Sequence, residues 1–161
     1  MKLEQLNESI KQYEIDELVS RVRNNTMFYV ENGLRGPSAF ETGLCYEFAL
    51  GLYNFLKSVG DKPELIFLVG NMKKAEAKWF ETEDFDPSTE HAFHTIVKVR
   101  KHYYDINGRL GNKRDIVAMW SKFRRKKLVT TTPQEVKKYI KKNNIVKHLE
   151  IILTNNHEDF K

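Results

Sequence analysis

Apolar residues recur at helical spacing from the start of the chain: Leu3, Leu6, Ile10 and Tyr13, continued after a small change of phase by Ile15, Leu18, Val19 and Val22. This pattern predicts one long or broken amphipathic helix. The stretch ENGLRGPSAFETG, residues 31–43, has three glycines and a proline and reads as a loop. From Cys45 to about Val59, the positions Phe48, Ala49, Leu52, Phe55, Leu56 and Val59 form a broad apolar stripe that Gly60 ends, which makes this the best-defined helix of the chain. PELIFLVGN, residues 63–71, is a short, nearly continuous apolar run between breakers and predicts a buried strand. Residues 72–90 mix Trp79, Phe80 and Phe85 with acids and Pro87, and predict an irregular insertion.

In EHAFHTIVKVRKHYYDING, residues 90–108, two near-alternating runs meet at a basic turn, the pattern of a half-buried hairpin. Beyond it, Ile116, Val117, Trp120 and Phe123 stand at helical spacing. Thr132, Pro133 and Glu135 form a capping-box helix start, and HLEIILT, residues 148–154, predicts a last strand. Because the hairpin demands antiparallel pairing and strands do not alternate regularly with helices, the expected class is α+β. The expected architecture has N-terminal helices and a central Cys-bearing helix packed on a small antiparallel sheet. One domain spans residues 1–161, divided into an N-terminal helical segment and loop (1–42), a core (43–108), and a basic helical segment with a final strand (109–161).

The length of 161 residues suits a single domain, and 40% hydrophobic with 30% charged residues fits a globular protein. No run approaches the roughly 18 apolar residues of a membrane span, and the N-terminus lacks the apolar stretch of a signal peptide, so the expectation is a cytoplasmic protein that does not engage a membrane. The single cysteine, Cys45, leaves no partner for an internal disulfide and fits a reducing compartment. Charge changes the picture more. The net +5 conceals a balance of −6 over residues 1–97, +13 over residues 98–148 and −2 over the last thirteen. Such asymmetry predicts a basic face for nucleic acid or an acidic partner protein, against the plainer reading of a solvated helix surface. Trp120, Phe123 and Tyr139 are interleaved with these cations but read as core more than as stacking platforms.

Candidate chemistry centres on Cys45. It opens the second helix, where unpaired N–H groups and the helix dipole favour an anion, so its pKa is expected to fall below the free-thiol value. The plainer reading is a small buried hydrophobe. His94 is the candidate base. On a strand, His94, Ile96 and Lys98 share one face. With the turn at Arg100 and Lys101 and Val99 facing His102, Asp105 lies opposite Ile96, on His94's face and diagonal to it. It can then accept a hydrogen bond from one imidazole nitrogen and leave the other for a thiol. A slip of one residue would turn Asp105 away. His91 stands as an alternative base, and Asp105 has an alternative role as the start of the DING turn. A metal site is disfavoured, because alternation sends His91 and His94 to opposite faces and His102 belongs to the turn. No cofactor is indicated.

GLCYEFALGLYNFL followed after a strand by HTIVKVRKHYYDING resembles the papain-like and transglutaminase-like cysteine proteins, over roughly residues 43–108. The resemblance implies a nucleophilic Cys45, His94 as base and Asp105 as its orienter, in an enzyme of hydrolase or acyl-transferase type acting on a peptide, protein or small amide. The chain departs from that pattern in three ways, the first being that the aromatic which commonly follows the histidine is absent. No glutamine precedes Cys45 to supply an oxyanion-hole side chain, and the interval between His94 and Asp105 is short. The missing glutamine leaves the oxyanion hole to the Cys45 backbone N–H and an unidentified donor, and weighs against proteolysis in particular. The rival class is a non-enzymatic binding protein using the basic face of residues 98–148.

Overall fold

The computed structural model describes residues 10–72, 90–120 and 122–161. The predicted positions Leu3 and Leu6 and the insertion with Trp79, Phe80 and Phe85 lie outside the described residues. From Gln12 on, the N-terminal stripe forms one unbroken helix, α1 (Gln12–Arg23), and a second helix, α2 (Thr26–Glu31), follows beyond the stripe. Ile15, Leu18, Val19 and Val22 are fully buried on α1. Asn25 divides the two by capping α2, its side chain accepting the Phe28 N–H at 3.0 Å. A single helical turn, α3 (Ala39–Thr42), lies in the predicted loop. Next comes α4 (Cys45–Ser58), with Phe48, Ala49, Leu52, Phe55 and Leu56 all buried. Gly60, at φ 86°, lets the chain leave α4 in a conformation that costs other residues strain.

Among the described residues the sheet has five strands: β1 (Glu64–Met72), β2 (His91–Val99), β3 (His102–Asp105), β4 (Gly108–Arg109) and β5 (Phe123–Thr131), in the spatial order β4-β3-β2-β1-β5. Every pairing is antiparallel. The β2–β3 connection is a two-residue turn in which Arg100 and Lys101 both take positive φ, 51° and 71°, the signature of the turn type whose twist matches a hairpin. It sets the register Val99↔His102, Lys98↔Tyr103, Val97↔Tyr104. At the other end of β2 the β1 ladder shifts between Leu68 and Val69, which pair with His94 and Ala92, so Phe93 is the extra residue of a bulge.

The two faces of the sheet belong to different apolar clusters. Leu65, Phe67, Val69, Val97, Val99 and Tyr104 pack with α1, α4 and the C-terminal helix in the main core. Ile66, Leu68, Ile96 and Tyr103 pack on the opposite face with Ile116, Trp120 and Leu128. The α+β class therefore holds, with a Cys-bearing helix lying against an antiparallel sheet.

The C-terminal third differs from expectation. The helix expected through Phe123 stops early: α5 covers Lys113–Ala118, and Phe123 begins edge strand β5. α6 (Pro133–Lys137) starts as its capping residues predict, Thr132 Oγ1 accepting the Glu135 N–H at 3.2 Å. The predicted last strand is a helix, α7 (Asn143–Glu158). The HLEIILT window hides the helical period, because the buried stripe runs Ile145, Val146, Leu149, Leu153 and starts before it. Helix α7 lies close against α4 at Gly51, where an added Cβ would stand 2.9 Å from the Leu149 Cβ.

Candidate active site

The hairpin joins two of the three candidate residues. With the observed register, Ile96 faces Asp105, and His94 reaches across the diagonal: its Nε2 lies 3.1 Å from Asp105 Oδ2, with both side chains buried. Asp105 Oδ1 accepts the Asn107 N–H at 2.8 Å, so the carboxylate is held at both oxygens. A carboxylate oxygen accepts, so Nε2 is the nitrogen that donates to Asp105, and Nδ1 points away from the carboxylate. Nδ1 is buried and has no hydrogen-bond partner among the described residues. A buried basic nitrogen without a partner is costly, so this atom needs a reason. His91 sits at the beginning of β2 opposite Gly70. Among the described residues, no three His, Cys, Asp or Glu side chains group as metal ligands.

Cys45 reaches the same strand by a different route. Its side chain, 4% exposed, lies at the start of α4. The backbone of Thr95, and that of Cys45 and Tyr46 at the helix start, favour a negative charge on the sulfur. The β2–β3 ladder stops at Val97↔Tyr104, which leaves the Thr95 amide open to the thiol. That amide belongs to the peptide joining His94 to Thr95, so the sulfur and the imidazole meet the strand at one peptide unit. They approach from different sides. α4 packs in the core that holds Val97 and Val99, whereas His94 shares the Ile96 side and its ring centroid lies 4.5 Å from that of Trp120. No hydrogen bond joins Cys45 to His94, since Nδ1 is unpartnered.

The expected depression of the Cys45 pKa is overturned. Burial pushes the thiol up from 9.0 to about 11; hydrogen bonding from Thr95 opposes this, and the Glu47 charge adds to it. The dipole and amides of a helix N-terminus are present, but desolvation of a thiolate outweighs them at this depth. At neutral pH the resting group is a thiol, and a base must take its proton for it to act as a nucleophile.

Three neighbours of the site carry no obvious sequence signal. Thr95 matters through its backbone, which side-chain chemistry does not reveal. Trp120 covers the imidazole and is steadied by the Lys126 ammonium, which donates to the Trp120 carbonyl at 2.8 Å. Glu47 is fully buried two residues after Cys45, and its Oε2 accepts the N–H groups of Lys141 and Lys142 at 3.1 Å each, just before α7. A carboxylate among the apolar positions of the Cys45 stripe was the available clue to Glu47. Its partners are 94 and 95 residues away, and no local pattern points to them. Tyr139, expected in the core, stacks on Tyr46 at 4.8 Å yet is 42% exposed.

Comparison with known proteins finds no matching family model, no matching curated protein and no matching solved structure. The functional reading therefore rests on these residues and their geometry.

Proposed function

We propose that the protein is a cysteine-nucleophile enzyme acting on an amide or related acyl compound, with Cys45 as nucleophile, His94 as base and Asp105 as its orienter, in an arrangement resembling the papain-like and transglutaminase-like proteins. The observation that carries this reading is the buried His94–Asp105 pair, whose second ring nitrogen has no partner among the described residues. In the reaction, His94 Nδ1 takes the thiol proton as sulfur attacks the carbonyl carbon. The oxyanion is held by the Cys45 and Tyr46 amides at the start of α4, and the resulting imidazolium protonates the leaving amine. Water or another nucleophile then releases the acyl group from sulfur. Because Cys45 and His94 approach the strand from different sides, the mechanism requires substrate binding to displace Trp120 and to rearrange the start of β2 so that Sγ and Nδ1 meet, directly or through one water.

The test is a screen of activated esters and primary amides, with intact-mass detection of an acyl adduct. Turnover should vanish in Cys45→Ala together with the adduct, and fall by roughly 10²- to 10⁴-fold in His94→Ala. Turnover that survives Cys45→Ala, or an acyl adduct whose rate of formation ignores His94, would sink the mechanism.

A second reading is favoured by edge strand β5, where Arg124, Arg125 and Lys127 are exposed. On this reading the fold presents a basic edge to nucleic acid. Binding through these cations would weaken by orders of magnitude between about 50 and 200 mM salt. Affinity that is flat across that range, or unchanged in Arg124→Gln with Arg125→Gln, would remove it.

A further inference from the structure

Away from the Cys45 site, a concave pocket of about 320 Å³ opens between the end of α1, α2 and the loop that follows α2. Arg23 and Arg35 line it, with Asn24 and Thr26 beside them and Val30 and Leu34 on the apolar side. Nine residues form its wall and none is acidic. Arg23 is held by a hydrogen bond from Nη1 to the Asn107 carbonyl at 2.8 Å, a partner that orients the guanidinium without neutralising it. Arg35 is exposed, and neither arginine has a carboxylate partner among the described residues. Two unneutralised guanidiniums at one concavity repel each other and focus a positive potential there. Their planar forks match oxyanions better than any other ligand class.

We infer that this pocket is a binding site for a small organic phosphate monoester, its phosphoryl group held by Arg23 and Arg35 and its carbon body lying on Val30 and Leu34. The volume is at the lower end of the roughly 300 Å³ to 1,000 Å³ usual for small-molecule sites, which limits the ligand to about the size of a phosphorylated ring. A dianion fits two guanidiniums better than a monoanionic carboxylate does. A second concavity of similar size, near Lys101, His102 and Lys113, is a weaker candidate. Its Gly111 lies against Asp115, whose Oδ2 would stand 2.6 Å from a Cβ added there, so a carboxylate already borders it.

The inference is independent of the Cys45 mechanism and is tested without turnover, by calorimetric titration of the full chain with phenyl phosphate, with phenol as the uncharged control. Saturable binding of one phenyl phosphate, none of phenol, and a loss of about tenfold or more in Arg35→Gln support the site. Arg35 is the cleaner probe because it holds no backbone group, and Arg23→Gln serves as the second variant once its unfolding midpoint shows that it is folded. Unaltered affinity in both arginine variants, binding abolished instead by Lys113→Gln, or no saturable binding of phenyl phosphate overturns the inference.

Discussion

The sharpest residue-scale fact is that Cys45 keeps its proton. A thiol whose pKa rises from 9.0 to about 11 on folding stays protonated in the native state over a range where the unfolded chain ionises. The unfolded state therefore binds fewer protons there, and stability falls as pH climbs from about 9 towards 11, while below 9 the two states do not differ. The urea midpoint should drop over that window, more steeply in wild type than in Cys45→Ala, by a difference approaching about 2 kcal/mol. Parallel pH curves for the two proteins would show that the thiol is not buried as described. Tyr29 and Tyr104, both raised to about 12 chiefly by burial, add a decline common to both proteins at higher pH. The His94–Asp105 geometry was legible in the sequence because a period of two and a short turn leave few registers open. The Cys45 pKa was not, since it depends on how deeply α4 sinks into its neighbours.

At the scale of elements, legibility followed local consistency. α4 and the hairpin have strong periodicity and clear stops, and both formed within a residue or two of expectation. β5 was hidden because its cations mask alternation, although a charged edge strand is how sheets avoid pairing with one another. α7 was missed because a short apolar window does not tell strand from helix, and the deciding partner is Gly51 of α4, nearly a hundred residues earlier. That contact makes its own prediction. Gly51→Ala gains about 1 kcal/mol of helix propensity but must push Leu149 aside, an overpacking cost of about 1–3 kcal/mol. Chemical denaturation should show a net loss of roughly 1 kcal/mol. A variant more stable than wild type would mean that α4 and α7 do not approach this closely.

For the whole molecule, the layers settle what the site can see. Among the described residues the main core joins α1, α4, α7 and one sheet face, while α5 and Trp120 pack on the opposite face. His94 and Asp105 share the sheet face of Ile96 and Tyr103, while Cys45 opens the helix that packs on the other. Among the described residues no helix is long and apolar enough to cross a membrane. On the proposed mechanism, a substrate reaches the imidazole from the face on which Trp120 packs against it. The turn at Arg100 and Lys101 has a further consequence. It works as a ruler, since its two residues determine which side of β3 the Asp105 carboxylate occupies. One glycine inserted between them, altering neither His94 nor Asp105, would offset the count by one and rotate the carboxylate to the other face. On the proposed mechanism, activity should then fall as far as in Asp105→Ala, and the imidazole NMR signals should lose the signature of the His94–Asp105 hydrogen bond. If both survive the insertion, the strand pairing is being measured from the other end, at the bulge.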